Sequence, residues 1–275
     1  MSLKINDADF TRLVNYMEQK FGINLKQKRV LIEGRLSNTI QQRGFTDFTG
    51  FLNMIFADKT GTEMINLINK LTTNHTYFYR EPEHYDFMVQ TALPYLEQSK
   101  KDHKVYIWSA ACSSGEEPYT NIMQTIEYFS RKAAAWTIEE LATDISDRVM
   151  DLARKGIYHQ DTMKNLPAGW DKKYFKSVGN ECFQIQPTVT SKVKIQKFNL
   201  MDPIPFKARP FDIIFCRNVM IYFEKETKEA LVKRFYDVLA PGGFLFIGHA
   251  ETIDRTNSKY QYVKPAVYRK PLDVK

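Results

Sequence analysis

Five short stretches of the chain carry polar side chains that apolar packing does not call for. Cys112-Ser113-Ser114-Gly115-Glu116-Glu117-Pro118 sets small residues and two acids at the opening of a helix. Small residues let a ligand approach the backbone, and the free N–H groups of the first helical turn face a carboxylate or other polar group. There is one glycine and no G-x-G-x-x-G, so the dinucleotide fingerprint is absent. Asp144, in Ala142-Thr143-Asp144-Ile145-Ser146, ends an apolar run. A carboxylate there can accept two hydrogen bonds from a ribose cis-diol; its other role is to cap the next helix, for which Ser146 is the better residue. Arg217-Asn218 stands directly behind the apolar run FDIIFC, where packing gives no reason for a guanidinium and an amide, whereas Val219, Ile221 and Phe223 beyond it read as core. Asn199 follows VKIQKF, a position at which a turn is the plainer role. The fifth stretch, TTNHTYFYREP (72–82), interleaves hydrogen-bonding side chains with aromatics and reads either as a lid over a pocket or as a packed linker, with Pro82 opening the next helix.

The elements that position these residues follow from periodicity. Apolar runs at 104–110, 137–144, 193–198, 211–216 and 244–249 read as strands, with helices at about 116–131, 147–155 and 225–239 between them. Pro241-Gly242-Gly243 reads as a sharp turn into the fifth strand, and YQYV with AVYR as a closing pair. Alternating strands and helices predict a doubly wound α/β sheet, whose ligands sit outside the carboxyl ends of the strands. Four of the five stretches fall there. Residues 157–192, rich in turn formers with short alternating segments such as CFQIQ, read as a small β-rich insert. Residues 1–72 read as an all-α domain with helices at about 7–21, 26–43, 47–57 and 62–71, the last opened by a capping box, Thr60-x-x-Glu63. A linker or lid at 73–82 then joins it to a domain at 83–275.

Composition bounds the function. The 275 residues are 43% hydrophobic, 26% charged and 13% aromatic, a globular composition. The formal charge of +7 and pI near 9.1 suit an acidic partner without choosing among nucleic acid, membrane surface and protein. Three widely spaced cysteines (Cys112, Cys182, Cys216) form neither a disulfide framework nor a C-x-x-C zinc site, and no apolar stretch approaches membrane-spanning length; a cytoplasmic protein is expected.

TTNHTYFYRE, WSAACSSGEEPY, ATDIS followed by a helix and GIY, FDIIFCRNVMIYF and LAPGGFLFIGHAE occur in the order seen in the CheR family, which the chain resembles over nearly its whole length. These are chemotaxis receptor methyltransferases that use S-adenosylmethionine to esterify receptor glutamates. The resemblance implies a Rossmann-like class I methyltransferase sheet, a product S-adenosylhomocysteine, no metal, and a monomer acting on the cytoplasmic helical domain of receptors. It further implies that Asn74, Thr76 and Arg80 contribute to the cofactor site, that Glu117 holds the methionine amino end and Asp144 the ribose, that Asn199 and Leu200 flank the adenine, and that Arg217 and Asn218 complete the pocket. Arg80 and Tyr222 lie, by similarity, nearest the transferred methyl. In the family the N-terminal domain helps recognise acidic methylation helices, which gives a role to Lys28, Arg29, Arg35 and Arg43 in a stretch of five bases against one acid. The segment between Tyr174-Phe175 and Asn199-Leu200 is short beside relatives whose insert docks on a receptor tether, so tether binding is not carried over.

Two other functions fit parts of the pattern. A nucleic-acid methyltransferase suits the positive charge, and Asp202-Pro203-Ile204-Pro205-Phe206 resembles the Asn/Asp-Pro-Pro-aromatic motif of amine methylation, but it precedes the fourth strand, whose end holds RNVMIY. A non-catalytic adaptor is the second; intact Arg80, Asp144, Asn218 and Tyr222 speak against it.

Overall fold

The computed structural model describes residues 3–72, 75–132 and 135–272. Its contacts divide the chain into two units, one of residues 1–75 with 222–227 and one of 76–221 with 228–275.

The first unit holds α1 (Asp7–Phe21), α2 (Arg29–Gln42), α3 (Phe48–Ala57) and α4 (Thr62–Leu71). The Asn6 side chain caps α1 by accepting the Asp9 N–H at 2.8 Å, and Leu13, Val14 and Met17 bury one face. Helix α2 buries Ile32, Leu36 and Ile40 at the expected spacing but begins three residues later than 26, with Lys28 at its N-cap. The capping box at Thr60 is not formed: Gly61, in left-handed conformation, is the N-cap of α4, and the Asp58 carboxylate accepts the Glu63 N–H at 2.8 Å instead. An acid five residues upstream reaches the same orphan donor that a Thr60 cap satisfies. The segment 222–227 joins this unit through the Asn24 N–H donating to Tyr222 O at 2.8 Å and a bridge from Ile23 to Phe223. Phe223 is buried as expected, whereas Ile221 is 47% exposed and is no core residue.

In the second unit, α5 (Pro82–Phe87) and α6 (Leu93–Ser99) precede β1 (Lys104–Ala110), α7 (Glu116–Phe129), β2 (Thr137–Asp144) and α8 (Asp147–Lys155). The insert follows with β3 (Ile157–His159), α9 (Trp170–Tyr174), β4 (Phe175–Gly179), β5 (Cys182–Ile185) and α10 (Pro187–Thr190). Then come β6 (Val193–Lys197), β7 (Phe211–Cys216), α11 (Lys225–Val238), β8 (Leu239–Ile247), β9 (Gln261–Lys264) and β10 (Val267–Arg269). The main sheet runs β6-β2-β1-β7-β8-β10-β9, parallel from β6 to β8 and closed by the antiparallel β10 and β9; β3-β5-β4 form the small antiparallel sheet of the insert. This is the expected α/β class. No helix among the described residues is long and apolar enough to cross a membrane.

Strand β1 lies between β2 and β7, so the chain leaves its carboxyl end in one direction and that of β7 in the other, opening a crevice between their loops. All six residues of β7 are buried, as a central parallel strand requires. Trp108 anchors β1 to β2 by donating its indole N–H to Thr143 Oγ1 at 2.9 Å, with Phe211 and Phe235 packed on its ring at 5.1 and 5.2 Å. Pro241-Gly242-Gly243 is not a turn before a strand but a bulge within β8, where the register against β7 shifts opposite Asp212. A side chain at Gly243 would come 2.8 Å from the Asp212 carbonyl oxygen, so the close approach needs glycine.

Beneath the crevice, Glu140 of β2 is fully buried; one oxygen accepts the Asn121 Nδ2 donor from α7 at 2.9 Å and the other has no partner. Burial, with a smaller push from Glu117, raises its pKa well above the usual carboxylate value. A raised acid pKa makes folding most favourable below the ordinary value of about 4.5 and costs stability as pH climbs from there toward the folded value. Glu140→Gln removes the titration and keeps the shape. Its melting temperature relative to wild type is therefore expected to rise by at least about 2 °C between pH 5 and pH 8 in thermal unfolding followed by circular dichroism; a constant difference would contradict burial of the acid.

Candidate functional site

The loop from β1 into α7 holds three left-handed residues, Ala111 (φ 74°), Ser113 (φ 49°) and Gly115 (φ 98°). Its twist is fixed from β2: the Ala111 and Cys112 N–H groups both donate to the Thr143 carbonyl at 2.8 Å, and the Ser113 N–H donates to Asp144 Oδ2 at 2.9 Å. A side chain at Gly115 would lie 2.8 Å from Ala153 Cβ and 2.9 Å from the Tyr158 hydroxyl. Asp144 also accepts the Ser146 N–H at 2.9 Å, so it serves the helix entry that Ser146 was expected to serve alone. Burial raises the Asp144 pKa while these backbone donors pull it back. The neighbouring Ser113 hydroxyl is buried with no hydrogen-bond partner among the described residues. Cys112 and Cys216 are buried thiols whose pKa burial raises far above the ordinary value, so neither is a nucleophile.

At the end of β7, Arg217 is buried and its five donors are all committed. Nε and Nη2 donate to Glu81 Oε2 at 3.2 and 3.0 Å, Nη1 to Glu117 Oε2 at 3.0 Å and the Tyr85 hydroxyl at 3.4 Å, and Nη2 to the Arg80 carbonyl. Burial works against its charge, and Tyr85, Glu117 and Glu81 more than restore it, so its pKa is raised. The partners divide: burial raises Glu117, which also accepts the Ser109 hydroxyl, whereas for Glu81 the Arg217 charge and hydrogen bonds outweigh burial and lower it. Asn218 (φ 60°) donates its side-chain N–H to Glu81 Oε1 at 3.1 Å, and its left-handed backbone is held by Glu251, which accepts the N–H groups of Asn218, Gly248 and Ile221 at 3.0, 2.6 and 3.1 Å. His84, on α5 beside this cluster, is fully buried and its pKa is pushed down to about 3, first by burial and then by Arg217.

The structure thus brings Glu117, Arg217, Asn218 and the Arg80 backbone into one hydrogen-bonded cluster, with Asp144 on the adjoining loop. Asn74 lies outside the described residues. Thr76 and the Arg80 side chain are half-buried on a segment whose aromatics are anchors, Phe78 fitting edge-on to Tyr158 at 4.8 Å and Tyr79 stacking on Tyr85 at 4.8 Å. Asn199 takes the turn role: its Oδ1 accepts the Met201 N–H at 3.0 Å, and Leu200 beside it is buried. Tyr222 belongs to the helical unit. So do the four bases, three of which have partners in that unit. Arg29 holds the Ile5 carbonyl and Asp7, Arg35 donates to the Leu71 carbonyl at the end of α4 at 2.7 Å, and Arg43 pairs with Glu63. Lys28 is exposed and makes no ion pair among the described residues. Sequence reasoning missed the roles of Glu81 and Glu251. The first stands beside Arg80 and the second closes the run GHAE, but a single acid next to a turn gives no sign that it faces a guanidinium or a set of backbone donors.

The family model described as "CheR methyltransferase, SAM binding domain" matches residues 74–269, and the one described as "CheR methyltransferase, all-alpha domain" matches residues 8–72. A chemotaxis protein methyltransferase of Borreliella burgdorferi is 41% identical over 275 residues, covering 98% of this chain and 96% of that one. Chemotaxis protein methyltransferase 2 of Vibrio cholerae is 34% identical (97% and 94% covered), and the chemotaxis protein methyltransferase of Escherichia coli 33% identical (97% and 92%).

Arg217→Ala leaves Glu81 and Glu117 buried without their counter-ion. Such a loss costs about 3–5 kcal/mol. Arg217→Lys keeps the charge with three donors in place of five, so urea unfolding should place it between Arg217→Ala and wild type. Wild-type stability of Arg217→Lys would show that charge alone, and not the donor geometry, holds the cluster; stability equal to Arg217→Ala would show the reverse.

Proposed function

We propose a reaction from one premise: the chain belongs to the CheR methyltransferase family. The reaction is transfer of the methyl group of S-adenosylmethionine to glutamate side chains in the cytoplasmic helical domain of chemotaxis receptors, giving glutamyl methyl esters and S-adenosylhomocysteine. The observation that carries this reading is the pair of acids at the carboxyl ends of β1 and β2, Glu117 and Asp144, with Arg217 at that of β7 holding Glu117, in a chain matched by the SAM-binding model over residues 74–269.

The donor set suits a cation that bears a ribose and an amino-acid end. Glu81, Glu117 and Asp144 outnumber the one guanidinium bonded among them, and the Ser113 hydroxyl beside Asp144 is buried and unpartnered among the described residues. When bound, S-adenosylmethionine supplies a methyl group activated by a sulfonium. In this reading Asp144 accepts from the ribose hydroxyls and Glu117 from the amino group, while Asn74, Thr76, Asn199, Leu200 and Asn218 complete the pocket. Arg217, with its donors committed within the protein, is a positioning residue that fixes Glu117 and the backbone of Arg80.

A receptor glutamate is ionised at pH 7 and needs no general base. Its carboxylate and the cationic methyl donor merge into neutral products, so excluding water favours the reaction and orientation is most of the remaining task. Arg80 orients the incoming carboxylate, and Tyr222 hydrogen-bonds near the reacting atoms. Lys28, exposed and without an ion pair among the described residues, contributes to recognition of the acidic receptor helix, whereas Arg35 closes the end of α4.

The assay is transfer of tritiated methyl groups to purified receptor cytoplasmic domains, scored as methanol released by mild alkali. Label resistant to alkali, or label on nucleic acid, would overturn the proposal. Asp144→Ala is expected to weaken cofactor binding by about ten- to a hundredfold, the worth of a hydrogen bond to a charged group. Tyr222→Phe should lower turnover with cofactor affinity retained. Lys28→Glu should raise the KM for receptor alone, and Arg35→Glu should instead lower the melting temperature.

A further inference from the structure

Glu81, a member of the Arg217 cluster, stands beside two histidines that the methyl transfer does not explain. Glu81 and His84 are spaced as Glu-x-x-His at the entry to α5, and His249 follows β8. One donor atom from each lies within 4.8 Å of the others, so an ion at their centre needs only small rotations to reach the roughly 2.0–2.2 Å of zinc–ligand bonds.

His84 is the unusual member. It is wholly excluded from solvent, and neither ring nitrogen has a hydrogen-bond partner among the described residues; Glu81 Oε2 is 3.5 Å from Nδ1. A neutral imidazole carries one N–H and one lone pair, and a buried polar atom left unmet costs about 1–3 kcal/mol. An ion that accepts the lone pair removes that cost. The Phe246 ring edge at 5.5 Å and the His249 ring at 4.8 Å fix the plane of the imidazole. Glu81 is already oriented by Arg217 and Asn218, as metal-ligating carboxylates are by their own hydrogen-bond partners. On the solvent side His249 is exposed, with the Glu83 carboxylate 4.0 Å from its Nε2, so an ion has a route in and an open position is left for water.

We propose that Glu81, His84 and His249 form a binding site for one divalent transition-metal ion of the zinc class. Two imidazoles and one carboxylate select zinc, cobalt, nickel or copper over magnesium and calcium, which prefer all-oxygen sets. The ion takes no part in methyl transfer; it ties the entry of α5 to the loop after β8.

The test uses the full-length, tag-free protein dialysed against a chelator and titrated calorimetrically with zinc chloride, with cobalt chloride as the visible-absorption probe. One zinc per chain is expected, with cobalt bands of a four- or five-coordinate site and no saturable binding of magnesium chloride. His249→Gln, at an exposed position, should weaken zinc roughly tenfold or more without changing the melting temperature of the metal-free protein. His84→Gln should do the same, and if it fails to fold the His249 variant decides alone. Absence of saturable zinc binding, magnesium binding as tight as zinc, or wild-type affinity in His249→Gln would each overturn the site.

Discussion

A guanidinium with no access to water organises this protein's crevice. Arg217 can be buried because each of its five N–H groups meets an acceptor, two of them carboxylates. The requirement runs both ways. Against burial, the arginine's charge and hydrogen bonds, with the Asn218 donor, hold the Glu81 pKa down, and Glu117, pushed up by burial, is held back by the same contact and by Ser109. Breaking one side of such a network leaves charge stranded in a poor dielectric, which is why the geometry is over-determined.

The surrounding backbone is bent to serve that arrangement. Glu81, Ala111, Ser113 and Asn218 all adopt left-handed conformations that side-chain-bearing residues avoid, and each sits at the rim of the crevice. Each is held by bonds from another segment: the Ala111 and Ser113 N–H groups by Thr143 and Asp144, Asn218 by Glu251, and Glu81 by Arg217 and Asn218. Carboxylates therefore do two jobs here. Asp144 and Glu251 answer backbone donors, whereas Glu81 and Glu117 answer a cation.

How much of this was legible in the sequence depends on the range of the interaction. The order of strands and helices was readable because apolar periodicity is local, and the loops holding Glu117, Asp144 and Arg217-Asn218 followed from where strands end. The exact caps were not. Asp58 displaced Thr60 because its carboxylate reaches the same backbone donor from further back. Pro241-Gly242-Gly243 looked like a turn because glycine and proline mark both turns and bulges, and only pairing with Asp212 distinguishes them. Basic residues on α2 read as a docking face; the pattern did not show that Arg29, Arg35 and Arg43 also bond carbonyls and acids of their own unit. Glu81 and Glu251 were invisible because their partners lie far along the chain.

That separation has a consequence for how the protein comes into being. Glu81 and Arg217 are 136 residues apart, and Glu251, which sets the backbone of Asn218, follows 33 residues later still. Closing so long a loop is entropically costly and is repaid only once the distant contact forms. During synthesis the first acid of the cluster waits through about half of the 275-residue chain for its counter-charge. The crevice is thus completed late, and the helical unit, which takes up 222–227, likewise lacks residues it needs until the segment after Arg217 is made.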